Sequence, residues 1–333
     1  MSNNDRLYPL LFQPALKAYI WGGRNLETLL GRELPEGIVA ESWEIAAHED
    51  GTSVVINGCY HGLSLKEVHA QLGLDLIGRN NAWAQERGRF PLLVKLLDAS
   101  DMLSVQVHPD DTYALAHEGN ELGKSEMWVV LHADPGAEII LGVRKGVTPD
   151  QFHKGIVDGS LDQLLHRVSV SAGDHVCVPS GTLHAILGGI LIAEIQQNSN
   201  TTYRVYDWNR TQDGKPRTLH IDKAMDVINF DRVEPELRPS VLLEETEHIS
   251  RSLLCSNQYF NTELVKIRPG GRLGGYLNGD TLEIWGVIAG DIYVDDIHLR
   301  AVQFTLLPAA LGEYHIAAPE GATCLRTYVA RTM

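Results

Sequence analysis

Cysteine is scarce in this chain: Cys59, Cys177, Cys255 and Cys324 are the only four in 333 residues, far apart and with no Cys-x-x-Cys pair. That spacing excludes a zinc knuckle and a dense disulfide framework, and free thiols in a reducing compartment are the expectation. Long apolar runs are missing too, since no stretch reaches the roughly 20 residues that a membrane helix needs. Residues 1–14, MSNNDRLYPLLFQP, show no basic region followed by a long apolar run, so no secretory leader is read there and the expected location is cytoplasmic. Basic charge is in deficit, with 28 Lys and Arg against 43 Asp and Glu and a formal charge of −15. Nucleic acid and anionic membrane are thereby disfavoured as partners. An anionic small substrate is not, because charges are screened within about 8 Å and a few local cations suffice to hold it.

What is present is ordinary globular composition, 44% apolar and 21% charged, in a chain long enough for two medium domains. Short strand-like runs bounded by Gly, Pro and Asn dominate: Gly51 to Asn57, Leu92 to Leu97, Leu103 to Val107, Met127 to Leu131, Glu138 to Leu141, His175 to Val178 and Ile190 to Ile195. Helical patterns interrupt them at Ser64 to Leu72, Asp110 to His117, Ile221 to Asn229 and Thr148 to Val168. In the last of these, TPDQFHKGI and SLDQLLHRV each begin with a residue able to cap a helix. Charge and proline at Glu234 to Pro239, followed by the acidic run Glu244 to Glu247, suggest a linker or domain edge. A second β unit is expected beyond it, with strands at Asn261 to Ile267, Thr281 to Ala289, Asp291 to Val294, Gln303 to Leu307 and Thr323 to Val329. The expected boundaries are residues 1–235 for a first domain with helical insertions and 236–333 for a second.

The segment Gly173 to His184, GDHVCVPSGTLH, has the G-x5-P-x-G-x2-H spacing and so resembles the second metal-binding motif of the cupin β-barrels. Val176, Cys177 and Val178 suit a buried strand, Pro179 ends its pairing, and Gly181 permits a tight turn that aims His184. Upstream, SVQVHPDD at Ser104 to Asp111 sets Gln106 and His108 two apart, on one side of a strand. GKSEMW at Gly123 to Trp128 then places Glu126 at the start of an apolar run, where a buried carboxylate costs several kcal/mol unless it is paired or coordinated. Two imidazoles and a carboxylate, with the Gln106 amide as a weak fourth ligand, suit Zn²⁺, and Fe²⁺ or Mn²⁺ can bind the same set. His and Glu do not cluster in the C-terminal third, so a metal site is expected in the first barrel only. GNELGKS at Gly119 to Ser125 imitates a phosphate loop, but it has three residues between its glycines where that loop has four. Lys124 should nevertheless point the same way as Glu126.

Taken in order and at their spacing, SVQVHPDD, GKSEMW, GDHVCVPSGTLHAI and EIQQNSNTTYRVYDWNR (Glu194 to Arg210), with AYIWGG (Ala18 to Gly23) and ESWEI (Glu41 to Ile45), resemble type I mannose-6-phosphate isomerases of the short bacterial form. The likeness is strong over roughly residues 1 to 230 and architectural beyond. It implies a mainly β fold of two cupin-type jelly-roll β-barrels with helical insertions. It also implies zinc, one ion per chain, held by Gln106, His108, Glu126 and His184, a sugar phosphate as substrate, and Arg204 as the catalytic arginine.

Aldose-ketose isomerisation moves a proton between C1 and C2 through a cis-enediol, and its difficult moment is charge on the enediolate oxygens. A divalent ion and a fixed guanidinium both stabilise that charge. A base near neutral in strength is needed as well, and Glu194, at the end of the apolar run ILIAEI, is the first candidate, a salt bridge to Arg204 being its bland alternative. Lys124 competes as base or as phosphate contact, and Ser104 is a candidate for the phosphate. Aromatic planes stack on sugar CH faces, which makes Trp21 a candidate contact and draws attention to Trp43, Tyr203, Tyr206 and Trp208. A non-catalytic sugar-phosphate-binding cupin and a cupin dioxygenase are the alternatives.

Overall fold

The strand-like runs assemble into antiparallel sheets, and the protein is mainly β. The computed structural model describes residues 7–212 and 214–329. Contacts group these into two units, one of residues 7–15, 43–94 and 239–329 and the other of residues 16–42 and 95–238. The sequence suggested a single boundary between residues 235 and 236. Contacts group residues 43–94 with the C-terminal residues. Long-range pairing is the reason: Leu10 lies opposite Leu306 and Phe12 opposite Val55, and such partners cannot be read from local composition.

The unit of residues 16–42 and 95–238 is built on two sheets. One has the strand order Leu165–Ser169, Glu138–Val143, His184–Ile186, Val105–Val107, Tyr203–Tyr206. The other runs His175–Val178, Glu126–Ala133, Ile190–Gln197, Leu92–Ala99, Glu41–Ile45, Ala15–Lys17, and the division between units falls inside its last three strands. Trp128, Val176 and Ile192 of the second sheet and Ile139, Leu141 and Ile186 of the first share one buried cluster. The opposite face of the five-stranded sheet buries Val105, Val107, Ala185, Tyr203 and Val205 against Phe152 and Ala224, from the helices Pro149–Asp158 and Ile221–Val227. Alternation of side chains along a strand produces these two faces.

Local chemistry sets the helices. Ser64 with Glu67, and Thr148 with Gln151, form reciprocal capping boxes, and Asp110 caps the helix Asp111–His117 through Tyr113 N. The second helix expected within Thr148 to Val168 is reduced to a single 3-10 turn, Leu161–Leu164. Gly159 at φ +80 ends the first helix, the Ser160 hydroxyl bonds Asp158 and not a helix N–H, and Leu165–Ser169 is recruited as a strand beside Glu138–Val143. In the stretch expected as a linker or domain edge, the division between units falls between 238 and 239, and Val241–Glu245 pairs with Ile249–Ser256 as an edge strand. Cys59 and Cys324 are free thiols as expected, whereas Cys177 and Cys255 are disulfide-bonded.

The other unit has an eight-stranded and a four-stranded sheet that share a core around Trp285, Val287, Ile292 and Ile316. Glu283 is buried there, and its Oε2 accepts from Trp285 Nε1 at 2.9 Å, Tyr314 Oη at 2.7 Å and Arg326 Nε at 3.0 Å. Glu263 is equally satisfied by Arg251 and Tyr328. With every oxygen paired, this network is a stabilising one. Glu283→Ala should strand the Arg326 guanidinium and lower the unfolding free energy by about 3 kcal/mol, read from urea denaturation.

Candidate functional site

Register brings the polar residues together. His184 lies opposite Gln106, and Gln106 lies opposite Arg204, so these three share one face while their sequence neighbours fill the core behind the sheet. In the six-stranded sheet Gln196 lies opposite Glu126 and Glu194 opposite Trp128, which puts both carboxylates on the face that buries Trp128. The turn before His184 is tied to the strand carrying the other histidine: Gly181, at φ +79, donates its N–H to His108 O at 2.8 Å. A Cβ at Gly181 would stand 2.9 Å from Val227 O, so glycine is required by space as well as by backbone angle.

His108, Glu126 and His184 are buried and offer ligand atoms that all lie within 4.8 Å of one another. His184 Nε2 is 3.3 Å from Glu126 Oε1, and His108 Nε2 is 3.6 Å from Oε2. The far ring nitrogens are committed: His184 Nδ1 is 2.9 Å from Thr182 O, and His108 Nδ1 is 2.8 Å from Thr201 O. A carbonyl only accepts, so each Nδ1 carries the proton and each Nε2 lone pair faces the carboxylate. Burial favours the neutral rings, bringing His184 down to about 4. Burial, with Lys124 and His184 beside it, holds His108 well below the usual histidine range. Glu126 Oε2 is buried without a hydrogen bond. Two neutral imidazoles and an under-satisfied carboxylate are the donor set of a divalent cation. The Gln106 amide nitrogen lies 3.4 Å from His184 Nε2, next to these three.

A cavity of about 310 Å³ opens beside this cluster. Glu194 lines it and is paired with lysines, not with Arg204: its Oε1 is 3.4 Å from Lys95 Nζ and 4.0 Å from Lys124 Nζ. Burial pushes its carboxyl up to about 7 against the opposing charge of Lys95. Lys95 also faces Glu41 at 3.3 Å; burial disfavours its charge, but the two carboxylates prevail and raise its pKa. Lys124 Nζ lies 3.1 Å from Glu126 Oε2 and 3.0 Å from His108 Nε2, in keeping with its expected direction. Arg204 lies across the cavity, its Nε donating to Ser104 Oγ at 3.1 Å and its Nη1 to Thr218 O at 3.0 Å.

Trp21 lines the cavity together with Tyr19, their rings stacked at 5.5 Å. Tyr203, Tyr206 and Trp208 do not: Tyr203 is next to Arg204 and so faces the other way, the strand shifts register between Arg204 and Tyr206, and all three pack in or against the cluster behind the sheet. Trp43 belongs to another core cluster. Sequence reasoning passed over Lys95, Glu41, Arg217 and His220, all of which line the cavity. Lys95 carried a signal, a lone cation inside the apolar run LLVKLL.

Comparison with known proteins gives the family. The family described as phosphomannose isomerase type I, catalytic domain, matches residues 10–126. Mannose-6-phosphate isomerase ManA of Bacillus subtilis is 44% identical over 313 residues, covering 92% of this chain and 95% of that protein. The chain belongs to the type I phosphomannose isomerase family. A mannose-6-phosphate isomerase of Streptococcus mutans is 47% identical over 225 residues, 67% of this chain and 69% of that one. Among solved structures, the Bacillus subtilis mannose 6-phosphate isomerase superposes with a TM-score of 0.84 at 34% identity, over 96% of this chain and 99% of that one. A putative mannosephosphate isomerase from Archaeoglobus fulgidus shares the fold, with a TM-score of 0.74 at 22% identity over 97% and 98%.

For this phosphomannose isomerase family member, His184→Ala should lose the bound metal, read by elemental analysis of the purified protein. Protonation disables an imidazole as a ligand, and the His184 ring is neutral above about 4. Metal content should therefore hold at a pH near 5.5 and fall as pH approaches 4, not at the ordinary histidine value near 6.5.

Proposed function

We propose that this chain interconverts mannose 6-phosphate and fructose 6-phosphate through a cis-enediol, in a catalytic cupin-type barrel that carries one zinc ion, the second barrel carrying none. His108, Glu126 and His184 would hold the ion, with Gln106 as a weak fourth ligand. The observation that carries this reading is that one cavity, lined by Gln106, by Glu126 of the His-Glu-His cluster, by the lysine-bracketed Glu194 and by Arg204, opens beside that cluster. When bound, the metal supplies Lewis-acid stabilisation of negative charge on substrate oxygen.

The remaining work belongs to side chains. Glu194 is assigned as the base that removes the proton from C2 of the aldose and returns it to C1. Its carboxyl, pushed up to about 7 by burial, matches that task, because a base near neutral both accepts and releases a proton readily. Lys95 and Lys124 stabilise its ionised form, which is the form that must exist before transfer. Lys124 remains the competing base, or a contact to the substrate's oxygens or phosphate. Arg204, oriented by Ser104 and Thr218, supplies a fixed positive charge toward the enediolate oxygens and cannot itself deprotonate. Trp21 offers a ring face to the sugar, and Ser104 is retained as a candidate near the phosphate.

The test is incubation with fructose 6-phosphate in D₂O, with and without chelator, following deuterium entry and mannose 6-phosphate formation. Isomerase activity predicts both, restored by metal after chelation. Binding without exchange would point instead to a non-catalytic sugar-phosphate-binding protein, and consumption of oxygen to a dioxygenase. Two variants check the residue roles. Arg204→Ala should keep its metal and lose about 100-fold or more in kcat, while Glu194→Gln should lose about 100- to 10,000-fold. Because the base works only when ionised, turnover of the unaltered protein should rise with pH through about 7, and that limb should vanish in Glu194→Gln.

A further inference from the structure

The reaction centre holds one more buried carboxylate than its chemistry has used. Five charged side chains alternate in sign along the cavity: Glu41, Lys95, Glu194, Lys124 and Glu126. Successive gaps are 3.3 Å, 3.4 Å, 4.0 Å and 3.1 Å. All five residues are buried and line the cavity. Glu126 belongs to the cluster that suits a cation and Glu194 is the assigned base, but Glu41 has no part in either. Sheet order sets three of the five side by side. Lys95 lies on Leu92–Ala99, which runs between Glu41–Ile45, bearing Glu41, and Ile190–Gln197, bearing Glu194. Burial disfavours the Lys95 ammonium, and carboxylates from both neighbouring strands outweigh that cost and keep it charged.

Proton transfer makes the second carboxylate necessary. A base that takes a proton from carbon becomes neutral, and at that moment Lys95 loses one of its two near counter-charges. A buried ammonium with no counter-charge is driven to give up its proton or to move. Glu41 is the partner that stays beside it in both states of the base. Without Glu41, the charge of Lys95 would be met chiefly by Glu194, which would hold Glu194 ionised and weaken it as a base.

We propose that Glu41 is a positioning residue for the proton transfer: it shares the Lys95 ammonium with Glu194 and so leaves Glu194 free to accept a proton. The proposal rests on the assignment of Glu194 as base in the isomerase reading above. The groups facing Glu194 act in the senses this requires. Burial is the largest influence and pushes its carboxyl up to about 7; Lys95 and Lys124 oppose that rise, while Glu126 and Glu41 add to it. Lys95 in turn is faced by Glu194, Glu41, Glu126 and Tyr19, all of which favour its charged form.

The experiment reads kcat and KM for fructose 6-phosphate against pH, and the midpoint of the Glu194 carboxyl titration by carbon-13 NMR. It is run on the metal-loaded protein and on Glu41→Gln, Glu41→Asp and Lys95→Met, the Glu194 signal being assigned by its loss in Glu194→Gln. Glu41→Gln deletes a like charge and leaves Lys95 to Glu194, so the midpoint, and with it the pH limb of kcat, should fall from about 7 by about one unit or more. The weaker base should lower the plateau of kcat by about 3- to 10-fold, with KM and metal content unchanged. Lys95→Met should move the midpoint upward, and Glu41→Asp, which keeps the charge, should stay near the unaltered protein. Loss of packing alone does not produce shifts of opposite sign. An unmoved or raised midpoint in folded, metal-loaded Glu41→Gln would overturn the proposal, and if Lys95→Met fails to fold that variant decides alone. Should the unaltered protein convert no fructose 6-phosphate, the isomerase reading fails, and the Glu194 midpoints still decide whether Glu41 governs that carboxyl.

Discussion

A carboxylate buried beside two imidazoles is the constraint on which this site depends. Glu126 is out of water, and its Oε2 has no hydrogen bond; such a group is costly unless a cation faces it. Lys124 partly answers that need at 3.1 Å. The two imidazoles cannot, because burial and their carbonyl-bound Nδ1 atoms keep them neutral. The cluster is therefore poised for a divalent ion and not for a simple salt bridge. Everything around it follows the same economy, with Glu194 and Glu41 bracketed by Lys95.

This arrangement needs two sheets whose inner faces are apolar in one part and polar in another. Trp128, Ile139 and Ile192 supply the dry part, while Gln106, Glu126, His184, Glu194 and Arg204 continue the same alternating positions toward the cavity. Several strands of each sheet thus contribute to both packing and chemistry, and in the five-stranded sheet a register slip of one residue would send the polar residues into the core behind it. The second unit solves its buried charges differently: Glu283 and Glu263 are satisfied by arginines and tyrosines.

Much of this could be read beforehand. The strands around His108, Glu126 and His184, the capped helices, and the orientation of Lys124 came from spacing alone, because period-two alternation and capping are local. In two places pairing with a neighbouring strand overrode local preference. Leu165–Ser169 became a strand since the edge of Glu138–Val143 was there to pair with, and Val241–Glu245 became an edge strand despite its charge. Tyr203 and Trp208 were suspected of touching sugar for their closeness in sequence to Arg204, and closeness along a strand is what turned Tyr203 away.

By itself the sequence determined the β class, the candidate ligands and the face each would take on its own strand, since these depend on residues two to four apart. Only the tertiary structure decided which faces meet. That Lys95 would neutralise Glu194, that Arg204 would stand opposite Gln106 without a carboxylate partner, and that residues 43–94 would group with the C-terminal strands all depend on pairing between segments far apart in the chain. Such pairings are chosen by the burial and hydrogen bonding of whole sheets, a property no short window of residues contains.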